Sequence, residues 1–347
     1  MTVVVMEPAE PSAASTDRPR RIRQRRTGSD LLFRGVIRAG GLMVLAIMLL
    51  VGIFLTLRAL PALRTMGWRF LTVQEWDPAG AAFGVAGVLV GTVLIGMVAI
   101  VIAVPLATGA ALYIAEYAPR RIAPVLVNVV DLMAAVPSVV YGIWGLYLLQ
   151  PHLLVAGEQG EGLPRWLATY LGWIPLFRVD GYDPRDPIGS NSALTGSTFV
   201  AGIIVAMMVT PIISSVMREV FSQAPVGERE GAFALGATKW GMIRSVVLPF
   251  GRGGMIGGTM LGLGRALGET IGVFLVISFV FVIQPHILQN GGGSISSLIA
   301  LRYAESNAIG IAGLMAAGLV LFVMTLLVNF GAGLIINRSR SGAASDA

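Results

Sequence analysis

The chain has 347 residues, of which 55% are hydrophobic and 13% are charged, and its formal net charge is +6. Soluble domains average about 25% charged residues, so this composition excludes a soluble enzyme and fits a protein that crosses a membrane several times. The absence of cysteine excludes disulfides and thiolate sites. His152 and His286 are too few for a histidine metal site, and Thr238 precedes the only lysine, Lys239, where a nucleotide-binding loop needs glycine. We therefore expect no cofactor, no metal and no catalytic chemistry in this chain.

The apolar segments predict an all-α integral membrane protein with six transmembrane helices. Residues 1–30 are polar and contain six clustered arginines, which predicts a disordered basic tail, and residues 31–80 are predicted to hold the first helix and a loop. A span needs about 20 apolar residues. The predicted spans are residues 39–57, 83–115, 122–149, 197–217, 254–283 and 309–336.

Positive residues are unevenly divided between the two sides of these spans. Seventeen arginines and lysines lie on the side that carries both termini, and seven lie on the other side. Because cytoplasmic loops are enriched in positive charge, we expect both termini, including a tail at 338–347, in the cytoplasm. The excess of basic residues is interpreted as a topology signal. We expect a protein of the cell membrane in contact with lipid, and no nucleic acid as a partner.

The third span contains several polar residues and a proline. Pro137 frees backbone groups within the span, and Ser138 and Tyr141 offer hydroxyls nearby. On residues alone, a Pro-Ser pair within a span is more often a kink than a substrate contact. Asp131, in the same span, is interpreted as a carboxylate bonded to nearby hydroxyls or paired with an arginine of a loop.

Two loops are long. The external loop 150–195 is rich in Gly and Pro, and it is interpreted either as a tolerated insertion or as a docking surface for an external partner. The cytoplasmic loop 218–252 predicts two short helices. Gly236 is expected to end the first in the left-handed conformation, Thr238 to cap the second, and Pro249 to break it before the fifth span.

The fifth span carries two charges. Arg265 and Glu269 are four residues apart, so on one helix they would share a face. Glycines at 254, 258 and 262 and at 264, 268 and 272 form two predicted ridges for close helix packing. The charges are interpreted either as a structural ion pair or as a substrate path, in which the planar guanidinium of Arg265 would suit an oxyanion.

The loop 218–252 resembles the EAA loop of binding-protein-dependent ABC import permeases. The similarity lies in Glu230, Ala232, Gly236, Leu248 and Pro249, with Gly231 and Val246 as mild departures from the usual pattern. In that family the loop docks on the ATPase subunit and transmits its closure. The resemblance implies a type I importer (MetI-like) fold over residues 81–337 and an ATPase-coupling role for these five residues.

The sequences around Arg265 and Pro137 are similar to those of phosphate import permeases of the PstC type. The segments are Gly262–Thr270 and Ala134–Gly142, and they imply that Arg265, Glu269, Ser138 and Tyr141 line the substrate path. The resemblance also implies four kinds of component around the chain: a second permease (PstA type), ATP-binding subunits (PstB type), an external phosphate-binding protein (PstS type) and the lipid bilayer.

The expected function is therefore that of a permease subunit for inorganic phosphate in an ATP-driven importer. Sulfate or molybdate is the alternative substrate. A self-sufficient secondary transporter is a further alternative, but it would usually contain inverted repeats, and no clear repeat is visible. A membrane-embedded enzyme would need more charged groups than Arg265, Glu269 and Asp131 within the spans.

Overall fold

The computed structural model describes residues 28–80, 82–154, 162–183, 185 and 192–340. Most of the predicted N-terminal tail, the end of the C-terminal tail and parts of the loop 150–195 lie outside these residues. The chain divides into two compact units, Met1–Val51 and Gly52–Ala347. In the first unit, the side chains of residues 31–50 are all exposed, and they are almost entirely apolar.

The described part of the chain is mainly helical. The α-helices, numbered in chain order, are α1 Gly28–Met66, α2 Ala86–Leu112, α3 Ala123–Ala135, α4 Ser138–Trp144, α5 Leu163–Leu171, α6 Thr198–Ser222, α7 Val226–Ala234, α8 Lys239–Met242, α9 Leu248–Leu267, α10 Ile271–Val276, α11 Ile295–Arg302 and α12 Ala308–Arg340. Two short antiparallel strands, β1 (Trp76–Asp77) and β2 (Ala82–Phe83), form a hairpin between α1 and α2. Five helices are long and apolar enough to cross a membrane, and a bent pair makes a sixth span, as the sequence predicts.

The bent pair is the third span. α3 and the helical stretch Ser138–His152 meet at an angle of 89° around Pro137. Val136 and Pro137 have extended backbone, with ψ of 130° and 140°. The kink interpretation of Pro137 is confirmed, because the residue before a proline is driven away from helical geometry and proline itself donates no hydrogen bond.

The fifth span differs from its predicted bounds at both ends. Its helix begins at Lys239 and continues to Leu267, so the prediction that Pro249 breaks it is wrong. A π-helical turn at Ile243–Val247 precedes the proline. Such a turn lets a helix absorb a residue that cannot join the regular bonding pattern. At the other end the helix stops at Leu267, whereas the sequence predicts a span reaching residue 283.

Helix α6 lies at the centre of the second unit and packs most extensively on α2 and α9. The ridge of Gly254, Gly258 and Gly262 on α9 faces α6, where a methyl group on each glycine would contact Val220, Val216 or Ile213. This ridge is confirmed as a close-packing surface. The second predicted ridge is wrong, because its helix ends before Gly268 and Gly272 lies in α10.

An irregular segment returns the chain from α10 to α11. Residues 277–294 fold into a hairpin-like arrangement in which the amides of Val280 and Gly292 donate to the carbonyls of Gly292 and Ser278. The segment packs on the first turns of α2, where a methyl group on Gly87 or Gly91 would meet the backbone of Phe281 or Gly293. The amide of Ile295 also donates to Thr92 Oγ1 of α2 at 2.9 Å. The beginning of α2 and residues 277–295 are therefore held together by direct backbone contact.

Candidate functional site

The turn between α7 and α8 has the geometry that its sequence predicts. Gly236 has φ of +82°, in the left-handed region that glycine adopts at little cost. The amides of Gly236 and Ala237 donate to the carbonyls of Phe233 and Ala232, at 2.9 and 3.0 Å. These bonds satisfy the last carbonyls of α7, so Gly236 is confirmed as the residue that ends this helix.

Thr238 begins the second helix of the loop. Its hydroxyl accepts a hydrogen bond from the amide of Gly241 at 3.1 Å, which confirms the predicted cap. Together, Gly236 and Thr238 turn the chain between α7 and α8 within a few residues. The loop 218–252 is therefore an ordered helix–turn–helix.

This turn presents an apolar surface to its surroundings. Leu235 is 92% exposed, and other large apolar side chains nearby are also exposed, namely Val226, Phe233 and Trp240. Of the residues predicted to contact an ATPase, Glu230, Gly236 and Pro249 are exposed, whereas Ala232 and Leu248 are partly buried. Exposed apolar clusters of this kind occur where a protein contacts another protein or a membrane.

Contacts near residue 116 hold this loop to the end of the second span, where a π-helical turn, Tyr113–Tyr117, continues α2. An ion pair joins Arg229 Nη1 to Glu116 Oε1 at 3.0 Å, and only 5% of the Glu116 side chain is exposed. The Lys239 ammonium lies 4.6 Å from the centre of the Tyr117 ring. The sequence analysis missed this set. The only available signal was Glu116 itself, a carboxylate directly after the uncharged stretch 83–115.

Arg265 lies in the last turn of α9 and is exposed. It borders a cavity of about 520 Å³ whose other lining residues are Ile212, Met260, Leu261, Gly264, Thr325 and Asn329. Thr325 and Asn329, both on α12, are polar residues that the sequence analysis did not single out. Among the described residues, Arg265 forms no salt bridge. Its guanidinium is thus free of a carboxylate partner beside a cavity within the membrane-spanning helices.

Glu269 does not share a helix face with Arg265, and this prediction is wrong. α9 ends at Leu267, so Glu269 lies in the break before α10. Its carboxylate is buried and accepts a hydrogen bond from the amide of Gly272 at 3.0 Å. A carboxylate at this position stabilises the free amides at the start of α10. Gly268, directly after α9, favours the break, because glycine is a poor helix former.

The predicted residues of the third span lie at its bend. The Tyr141 hydroxyl donates to the carbonyl of Met133 at 2.9 Å, and its side chain is 9% exposed. Ser138 is partly buried in the first turn of α4. Asp131 forms an ion pair with Arg218 at 3.8 Å, which confirms its interpretation as the partner of an arginine from the 218–252 region.

The structure has six membrane-crossing segments, an ordered apolar loop between the fourth and fifth, and an arginine beside a cavity among the spans. This combination is typical of the membrane component of a transport system. Residues 103–341 match the family of binding-protein-dependent transport system inner membrane components, and the chain belongs to this family. It is thus an inner-membrane component with several membrane-spanning helices.

Curated relatives and a solved structure agree with this assignment. The chain is 39% identical, over 98% of its length and 100% of the relative, to the phosphate transport system permease protein PstC 2 of Mycobacterium bovis. It is 40% identical, over 80% of its length and 83% of the relative, to the phosphate transport system permease protein PstC of Mycobacterium leprae. A chain from a bacterial ABC transporter involved in the import of alginate has the same fold, with a TM-score of 0.53, 19% identity and coverage of 88% of this chain and 97% of that chain.

Proposed function

We propose that this chain is a permease subunit of an ATP-driven importer and that it conducts inorganic phosphate across the cytoplasmic membrane. The observation that carries the proposal is the guanidinium of Arg265, which has no carboxylate partner among the described residues and borders a cavity among the spans. The names of its PstC relatives support phosphate as the substrate.

Arg265 is the residue to which we assign the recognition of the anion. A guanidinium presents a rigid fork of donors that matches the oxygens of a phosphate, and it stays charged at any physiological pH. A charge within a membrane is costly and is usually kept for function. Thr325 and Asn329 border the same cavity, and their side chains supply uncharged polar groups beside the arginine. Ser138 and Glu269 remain proposed path residues, supported by family resemblance alone. For Tyr141, the fourth residue of the expected path, we instead propose a role at the bend, because its hydroxyl donates to the Met133 carbonyl.

The partners that we propose follow from the family. A second permease of the PstA type would complete the path, PstB-type subunits would bind and hydrolyse ATP, and a PstS-type protein would deliver phosphate from outside. We also propose that both termini and the loop 218–252 lie in the cytoplasm, because arginine is in excess on that side. The catalytic work of ATP hydrolysis then belongs to another subunit.

The loop 218–252 is proposed as the contact with the ATP-binding subunit, and we call it the coupling loop. Its exposed apolar side chains, Phe233, Leu235 and Trp240, provide the area that such a contact buries. Glu230, which lies on α7 together with Phe233, is also exposed and adds a charge at the edge of this surface. The capped turn holds these residues in a fixed arrangement before any partner binds.

Uptake by the reconstituted importer tests the proposal. The chain is co-expressed with proteins of the PstA, PstB and PstS types, and labelled phosphate uptake into proteoliposomes is measured with internal ATP and with a 100-fold excess of sulfate or molybdate outside. We expect uptake that requires ATP and is displaced by unlabelled phosphate only. Displacement by sulfate or molybdate would assign one of those oxyanions instead. Uptake without ATP or the ATP-binding subunit would contradict the importer class.

A further inference from the structure

The coupling loop touches the end of α2 at two points, one on each side of its turn. Arg229 of α7 forms the 3.0 Å ion pair with Glu116, and Lys239 of α8 lies over the ring of Tyr117. Both arms of the loop therefore meet two consecutive residues of one span. We call these four residues the α2–loop contact.

Arg229 also reaches a third element. Its Nη2 donates to the carbonyl of Phe221, in the last turn of α6, at 2.6 Å. One guanidinium thus joins α7 to the ends of both α2 and α6. The exposed fractions of the two ionic side chains are 20% for Arg229 and 5% for Glu116, so water screens this pair less than it screens a surface pair.

The opposite end of α2 is also held firmly. There, Gly87 and Gly91 approach the backbone of Phe281 and Gly293, and Thr92 accepts a hydrogen bond from Ile295. Between these two ends the helix runs from Ala86 to Leu112 without a charged residue and continues as a π-helical turn over Tyr113–Tyr117, which carries Glu116. It therefore connects the coupling loop with the segment 277–295, which is on the external side in the proposed orientation.

We infer that Glu116 and Arg229, together with Tyr117 and Lys239, are positioning residues that fasten the coupling loop to α2, so that a displacement of the loop moves α2 and the segment 277–295. The inference rests on the proposed function for its direction, from an ATP-binding subunit to the external side. The contact itself belongs to this chain. It differs from the surface that faces the ATP-binding subunit, because the two side chains of its ion pair, Glu116 and Arg229, are mostly buried rather than exposed.

The first experiment measures the contact in the full chain without any partner. Spin labels are attached to the cysteines of Arg120→Cys, just beyond α2, and Gly227→Cys, in α7. Only these two positions are labelled, because the chain has no native cysteine. The native pair should give one narrow distance distribution, and Arg229→Gln or Glu116→Gln should broaden it. Arg244→Gln, a change at an exposed arginine, is the control that should leave it narrow. An unchanged distribution in both test variants would overturn the inference.

The second experiment measures coupling in the complete importer, as phosphate taken up per ATP hydrolysed. Arg229→Gln should lower this ratio about fivefold while the ATP-binding subunit stays bound, because the exposed docking surface is unchanged. Arg121→Gln, at an exposed arginine between α2 and α3, should leave the ratio unchanged. The double variant Glu116→Arg with Arg229→Glu exchanges the two charges and should recover part of the loss, because it restores the ion pair but not the hydrogen bond to the Phe221 carbonyl. An unchanged ratio in Arg229→Gln would overturn the inference.

Membrane abundance and a conservative variant distinguish a purely structural role of Arg229 from the positioning role. If Arg229→Gln lowers membrane abundance, two other single variants are measured in its place. These are Arg229→Lys, which keeps the charge, and Glu116→Gln. Parallel losses of abundance and uptake with a normal ratio per ATP would overturn the positioning role. A native importer that takes up no phosphate would contradict the proposed function instead, and the spin-label distances would still decide the contact.

Discussion

The hydroxyl of Tyr141 donates a 2.9 Å hydrogen bond to the carbonyl oxygen of Met133, across the 89° bend of the third span. In a continuous helix, the amide of residue 137 would bond to this carbonyl, but residue 137 is proline and has no amide proton. Tyr141 therefore supplies a donor that Pro137 lacks, in addition to the amide of Val136, which donates to the same carbonyl at 3.3 Å. Within a membrane this matters more than in water, because unpaired backbone groups there cannot turn to solvent.

Tyr141→Phe should therefore destabilise the bend without affecting substrate affinity. Removing the hydroxyl leaves the Met133 carbonyl without its side-chain donor, at a cost of about 1 kcal/mol. We expect a lower Tm in detergent, by a few degrees, and an unchanged KM for phosphate uptake. A raised KM with an unchanged Tm would instead support Tyr141 as a direct substrate contact.

Arg265→Ala should abolish phosphate uptake while leaving membrane abundance unchanged. A hydrogen bond to a charged group contributes about 1.5–3 kcal/mol, so the loss of uptake should be at least about tenfold. Arg265→Lys should restore only part of it, because an ammonium lacks the planar fork of donors. Normal uptake by Arg265→Ala would contradict the assigned role.

Glu269 provides the matched comparison for Arg265. Glu269→Gln keeps an oxygen that can accept from the Gly272 amide, so the start of α10 should remain capped and abundance normal. Glu269→Ala removes this acceptor and should destabilise the protein by about 1 kcal/mol. Because the two residues are not paired, adding Glu269→Ala to Arg265→Ala should not restore uptake. Recovery of uptake in the double variant would show that they act as an ion pair.

Gly236 and Gly231 offer a direct test of the turn. A methyl group on either glycine would point into open space, but only Gly236 has positive φ. Gly236→Ala should therefore strain the turn by about 1–2 kcal/mol and lower uptake, whereas Gly231→Ala should be tolerated. Both proteins should insert into the membrane. Equal uptake by the two variants would show that the left-handed turn is not needed.

Topology is tested by labelling single cysteines in intact cells. Trp173→Cys lies in the loop 150–195 and Gly227→Cys in the coupling loop, and both positions are exposed. An impermeant thiol reagent added outside should modify the first and not the second. The opposite labelling pattern would reverse the orientation derived from the arginine distribution.

Local features of the chain were predictable from the sequence. The six spans follow from hydropathy alone, because each apolar segment must be covered by lipid or protein whatever its neighbours are. The Gly236 turn and the Thr238 cap were equally accessible, since both depend on bonds between residues within a few positions of each other. Family motifs indicated the class of transporter in the same way, from short runs of residues.

Only the tertiary structure decided where α9 ends and which charges meet. A spacing of four residues brings Arg265 and Glu269 together only if the helix continues, and the helix stops at Leu267. Glu116 and Arg229 are 113 positions apart, so no local pattern indicates that they pair. Helix ends in glycine-rich sequence and long-range ion pairs depend on how the spans pack, whereas hydropathy and turn geometry are properties of the local chain.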